Sequence, residues 1–140
     1  MEPITIFLEK DGARGRVHEL SAEDLKLHPS QSMWYTESYF FIAYLESGEI
    51  AYIQLIISNL GLKKNQPGLT LTVITPDRRR LTTEKDFPPE ALTFLPGGFG
   101  LGIGDNRLSG TDRELKLSVR QDQLALELQY VDTDEFLAAL

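Results

Sequence analysis

Residues 34–59 read WYTESYFFIAYLESGEIAYIQLIISN, two long apolar and aromatic runs joined at Ser47-Gly48. Val, Ile, Tyr, Phe, Trp and Thr favour strands, and a Gly-containing break between two such runs predicts a β-hairpin. Each arm has about ten residues, long for a strand. A half-buried strand is apolar on one face only. Here both faces carry large apolar groups, so both sides of the sheet need a cover. A bound ligand is one such cover; a second protein surface is another.

A two-residue turn at Ser47-Gly48 sets Phe41 opposite Gln54, Tyr39 opposite Ile56 and Glu37 opposite Ser58. Alternation then places Tyr35, Glu37, Tyr39, Phe41, Tyr52, Gln54, Ile56 and Ser58 on one face. Trp34, Thr36, Ser38, Phe40, Ile42, Tyr44, Ile53, Leu55, Ile57 and Asn59 fall on the other. The first face mixes aromatics with sparse polar groups, the composition of a ligand pocket. Its candidate binding residues are Tyr35, Phe41, Gln54, Ile56 and Ser58. Glu37, Tyr39 and Tyr52 are its candidate catalytic groups. Glu37 is the one ionisable group in mid-strand among these aromatics. Burial would raise its pKa and suit it to proton transfer. The alternative is that Tyr39 and Tyr52 are core aromatics with hydroxyls at the rim, and that Glu37 is solvated at the mouth.

Outside the hairpin the strand signals continue. Leu69–Thr75 alternates, Pro76-Asp77 turns the chain, and residues 81–85 return. Phe99, Leu101 and Ile103 alternate with glycines. That spacing suits a strand better than a phosphate loop, since no Lys-Ser/Thr follows. Leu115, Leu117 and Val119 share a face with Leu124, Leu126, Leu128 and Tyr130, against a charged opposite face. Ile4–Leu8 reads as a further short strand, Ser21–Leu25 as a weak helix start, and 132–140 as a short C-terminal helix with acids in its first turn. Strands at hairpin spacing predict an all-β fold, an antiparallel barrel of about eight strands or a sandwich, in one domain spanning 1–140.

Composition narrows the function classes. The 140 residues are 41% hydrophobic, enough for a core, and 14 Lys and Arg against 21 Asp and Glu give a net charge of −7. That balance argues against a nucleic-acid partner. Arg78-Arg79-Arg80 is the one basic run and reads as a solvated turn tip. The chain has no cysteine, which removes disulfides, thiolate chemistry and sulfur-ligated zinc. His18 and His28 lack further ligands at metal spacing and read as surface residues. No cofactor or metal is expected. No apolar run is long enough to span a bilayer, and the N-terminus lacks a signal-peptide pattern, so the expectation is a cytoplasmic protein.

Thr36-Glu37-Ser38-Tyr39-Phe40-Phe41, followed after the turn by Ile53-Gln54-Leu55-Ile56-Ile57-Ser58-Asn59, resembles the lipocalin-like group of survival-factor proteins, AttH-type proteins and carotenoid 1,2-hydratases. Asp105-Asn106, opening into the hairpin of 114–120 and 123–131, is similar in order. The resemblance spans Trp34 to Val131. It implies a lipocalin-like β-barrel that binds lipophilic molecules, with some relatives acting as cofactor-independent cyclases, hydratases or pericyclases on polyenes. Those relatives carry two tandem domains, and this chain has length for one, so a homodimer is the expected substitute for the missing half.

Three functions are consistent with these readings. The first is binding of a small hydrophobic molecule, such as a lipid, polyene or polyketide, in a barrel cavity. The second is a cofactor-independent cyclase or isomerase of natural-product biosynthesis, a pericyclase such as a Diels-Alderase or a hydratase, using the same cavity. The third is a structural half-domain acting by oligomerisation.

Overall fold

Nine strands account for almost all of the regular structure in the computed structural model, which describes residues 26–61, 64–95, 99–111 and 113–131. Four form the first sheet: β1 (Thr36–Tyr44), β2 (Ile50–Ser58), β3 (Gln66–Ile74) and β4 (Arg80–Asp86). Five form the second: β5 (Leu92–Phe94), β6 (Phe99–Ile103), β7 (Asn106–Gly110), β8 (Glu114–Gln121) and β9 (Leu124–Val131). Both sheets are antiparallel meanders in which spatial order equals chain order. The fold is therefore all-β. The strand expected at Ile4–Leu8, the helix start at Ser21–Leu25 and the C-terminal helix lie outside the described residues.

The barrel expected from the sequence differs from this arrangement. Among the described residues no ladder joins β1 to β9 or β4 to β5, and the strands fall into two sheets. The chain crosses between sheets through Phe87-Pro88-Pro89 and a single 3₁₀ turn, Pro89–Ala91. Proline has no N–H for a ladder, so hydrogen bonding cannot run on through this link. Phe87 is buried at the crossing, and its N–H donates to the Pro67 carbonyl at 2.9 Å.

The core lies between the two inner faces. On the first sheet the row Phe41, Ile53, Leu71 runs across β1, β2 and β3. On the second, Leu101, Leu108, Leu117 and Leu128 align across β6 to β9. Ile53, Leu71 and Leu108 have no exposed surface; each such side chain contributes roughly 1.5–3 kcal/mol by leaving water. The sheets meet through aromatic pairs, Tyr39 on Phe99 at 5.5 Å and Phe41 on Tyr130 at 5.7 Å between centroids. The Tyr130 hydroxyl also donates to the Ile42 carbonyl at 3.1 Å, which fastens the β9 edge to the β1 edge.

The register of β1 against β2 corrects the sequence reading. Thr36 pairs with Ser58, Tyr39 with Leu55 and Phe41 with Ile53. The tip is a three-residue loop, Glu46–Gly48, not a two-residue turn. The Gly48 N–H donates to the Leu45 carbonyl, the Leu45 N–H donates to Glu49, and Gly48 lies at φ 95. This is a type I turn closed by a left-handed residue, the usual three-residue hairpin. The β3–β4 tip repeats it with Arg78 at φ 64. An odd loop in place of an even one shifts the pairing by one, which exchanges the two faces of one arm relative to the other.

Candidate functional site

That shift divides the eight residues assigned to one face. Tyr35, Glu37, Tyr39 and Phe41 turn inward with Ile53, Leu55 and Ile57. Tyr52, Gln54, Ile56 and Ser58 turn outward with Phe40 and Ile42. Two separate constellations result.

The inward one is a hydrogen-bonded cluster around Glu37. Its Oε2 accepts the His28 backbone N–H at 2.8 Å and the Tyr35 hydroxyl at 2.7 Å. Its Oε1 lies 3.0 Å from His28 Nδ1. Partial burial pushes the Glu37 carboxyl upward, but the His28 N–H, the Tyr35 hydroxyl and the His28 ring outweigh it and hold the group below its usual range. Glu37 is therefore an ionised acceptor rather than the proton donor a raised pKa would supply. Burial, then the Glu37 hydrogen bond and charge, push the Tyr35 phenol up. Burial and the Glu37 charge raise the Tyr39 phenol to about 12. Both phenols are thus neutral donors. Phe99, on which Tyr39 packs, also lines a cleft of about 210 Å³ with Leu27, Phe94 and Leu95.

Asn59 completes the same construction. Its side-chain amide donates to the Ser30 and Ser32 carbonyls at 2.7 and 3.0 Å, and its Oδ1 accepts the Asn65 N–H at 2.6 Å. Together Glu37 and Asn59 tie residues 28–32 across the end of the first sheet. Ser58 has a turn role: its hydroxyl lies 3.2 Å from Thr36 Oγ1 and accepts the Leu60 N–H at 3.1 Å. Phe41 is a core residue against Tyr130. Ile56 fills the space over Gly68, where an added methyl would come within 3.0 Å of Ile56 Cγ2.

The outward constellation is a groove of about 390 Å³ across the solvent-facing side of the first sheet. Its apolar wall is Phe40, Tyr52 and Ile74, with the two rings 6.4 Å apart and tilted by 41°. Its polar groups are Gln54, Thr70, Thr72 and Arg80. Phe40, 59% exposed, stands at one end and Arg80 at the other. The volume falls within the roughly 300–1,000 Å³ of small-molecule sites. Of the residues assigned from sequence, Tyr52 and Gln54 line this groove. Phe40, Thr70, Thr72, Ile74 and Arg80 join them, and His28 joins Glu37. The signal for Phe40 was its place on the second face of β1, which the correct register pairs with Gln54.

Among the described residues no group of three or more His, Asp and Glu could hold a metal ion, and no helix is long and apolar enough to cross a membrane. Comparison with known proteins gives no matching family model, no matching characterised sequence and no matching solved structure.

Proposed function

We propose that this protein binds a small hydrophobic molecule on the outer groove of its first sheet. The observation that carries the proposal is the groove itself, an aromatic and aliphatic wall with four spaced polar side chains. The interior between the sheets is filled by side chains, so the ligand site moves from the expected barrel lumen to the sheet's outer surface. The lipocalin-like kinship belongs to the same proposal. Two features support it. The strands form a meander whose first and last edges approach at Tyr130 and Ile42. The residues carrying the resemblance, Glu37 and Asn59, hold a connected segment in place.

The test is a fluorescence titration with a neutral polyene, the methyl ester of cis-parinaric acid, against the parent and Phe40→Ala. Aromatic side chains bury roughly 150–250 Å² when covered. Phe40 is 59% exposed, so a ligand covering half of that area gains about 60 Å², or about 1.5 kcal/mol, from it. Binding of the ester and a loss of about tenfold in Phe40→Ala are expected. No binding to the parent would remove the reading.

A second reading is a cofactor-free isomerase or cyclase. The observation favouring it is the chain of Tyr35, Glu37 and His28 in direct hydrogen-bond contact; Tyr39, on the same face, packs on Phe99, which lines the 210 Å³ cleft. Turnover of a polyene that falls by about two to four orders of magnitude in Glu37→Gln is its signature.

A further inference from the structure

Arg80 sets the polarity of the groove. In sequence it ends a run of three arginines, but the fold separates them. Arg78 occupies the left-handed position of the β3–β4 tip. Arg79 pairs with Asp77 through its Nε at 2.7 Å. Arg80 opens β4 with its side chain on the outer face, and among the described residues no carboxylate pairs with it.

Its guanidinium is held in place nonetheless. Arg80 Nε donates to Thr82 Oγ1 at 3.2 Å, and that hydroxyl lies 3.0 Å from Thr72 Oγ1. One edge of the fork is thereby engaged, and the terminal nitrogens are left for another acceptor. The groove runs from there across Thr72 and Tyr52 to Phe40, over three strand spacings and four residues of register, a diagonal of about 20 Å. The charge on this face changes sign along β4. Glu84, two outer positions beyond Arg80, pairs in register with Thr70. A negative ligand group is therefore favoured at the Arg80 end and disfavoured at the Glu84 end.

We propose that the ligand is an amphiphile with one carboxylate and one apolar chain or ring system. The carboxylate accepts from the Arg80 terminal nitrogens, and the apolar part lies along Tyr52 and Phe40. A planar guanidinium donates to a carboxylate in parallel pairs, a geometry that an ammonium or an amide does not offer. The protein's net charge of −7 repels anions in general, so binding of one requires a local cationic group such as this. The inference rests on the groove reading above and adds the headgroup chemistry and the orientation.

The test compares cis-parinaric acid with its methyl ester on the parent, Arg80→Gln and Arg80→Lys, at low and high salt. The parent should bind the acid about five- to tenfold tighter than the ester, the range of a partly exposed charge-assisted pair. High salt should shrink that preference. Arg80→Gln should abolish the preference by weakening the acid far more than the ester, and Arg80→Lys should retain part of it. Equal affinity of the parent for acid and ester overturns the inference while the groove stands, as does an equal loss of both in Arg80→Gln. Failure of both probes to bind the parent removes the groove and the inference together. Sedimentation run alongside separates the remaining occupant. If Phe40→Ala converts a dimer to a monomer and neither form binds probe, a second copy covers this face and the inference is overturned.

Discussion

Replacing Glu37 tests whether its carboxylate is a clamp. In Glu37→Ala the His28 N–H and the Tyr35 hydroxyl lose their shared acceptor. The His28 side chain is 66% exposed, against 23% for Glu37, so water replaces the ring contact at little cost. The two bonds to Oε2 carry most of the effect, at about 1 kcal/mol each. The sum, about 2 kcal/mol, corresponds to a fall in Tm of roughly 6 °C for a chain of this size. Glu37→Gln should cost far less near pH 8. A Gln oxygen in the Oε2 position keeps both donors, the His28 N–H and the Tyr35 hydroxyl. Only charge assistance is lost, about 1 kcal/mol or less.

The advantage of the carboxylate over the amide should shrink on strong acidification. The folded carboxyl lies below its ordinary value of 4.5. Its stabilisation is therefore complete above that value and is lost as pH falls through the lower folded one. Thermal unfolding followed by circular dichroism from pH 8 to pH 3 reads this loss. A Glu37→Ala variant as stable as the parent refutes the clamp. A Glu37→Gln deficit that does not change with pH refutes the part assigned to the ionised carboxyl.

Three further outcomes follow from the register and the tips. Leu55→Ala should cost about 2–5 kcal/mol in chemical denaturation, whereas Gln54→Ala, one residue away on the outer face, should cost less than about 0.5 kcal/mol; the register read from a two-residue turn predicts the reverse. Arg78→Gly should raise stability by about 0.5–1 kcal/mol by relieving the left-handed backbone at φ 64. Gly48→Ala should lower it by a similar amount or more, since the added methyl also meets Pro76 Cγ at 3.2 Å.

Side-chain alternation made the strands themselves legible. Leu115, Leu117 and Val119 do face the core with Leu124, Leu126 and Leu128, and Tyr130 packs on Phe41. That grouping is insensitive to a one-residue error in locating the turn: both the expected pair, Gln121-Asp122, and the observed pair, Asp122-Gln123, have an even count. The β1–β2 hairpin had no such protection. Glu46 looked like the last strand residue but is the first of an odd loop, and parity carried every assignment on one arm to the wrong side. β7 went unread because Asn-Arg-Leu-Ser-Gly has little strand preference of its own. It is held by its neighbours, with buried Asn106 donating to the Ile103 carbonyl and accepting the Arg120 N–H, both at 2.8 Å. His28 and Arg80 escaped for a related reason. One meets its partner only when β1 brings Glu37 back nine residues later, and the other was hidden in a charge run that the turn divides.

The meander order bears on how the chain finds this structure. Among the described residues every hydrogen-bonded ladder joins consecutive strands, so each hairpin closes a short loop at small entropic cost. The non-local steps are confined to docking one sheet on the other, through Tyr39 on Phe99 and through Tyr130, which reaches Ile42 across 88 residues. Such a division separates local zippering from a late search. Substitutions in the hairpins should slow folding, whereas removing the Tyr130 hydroxyl should chiefly speed unfolding.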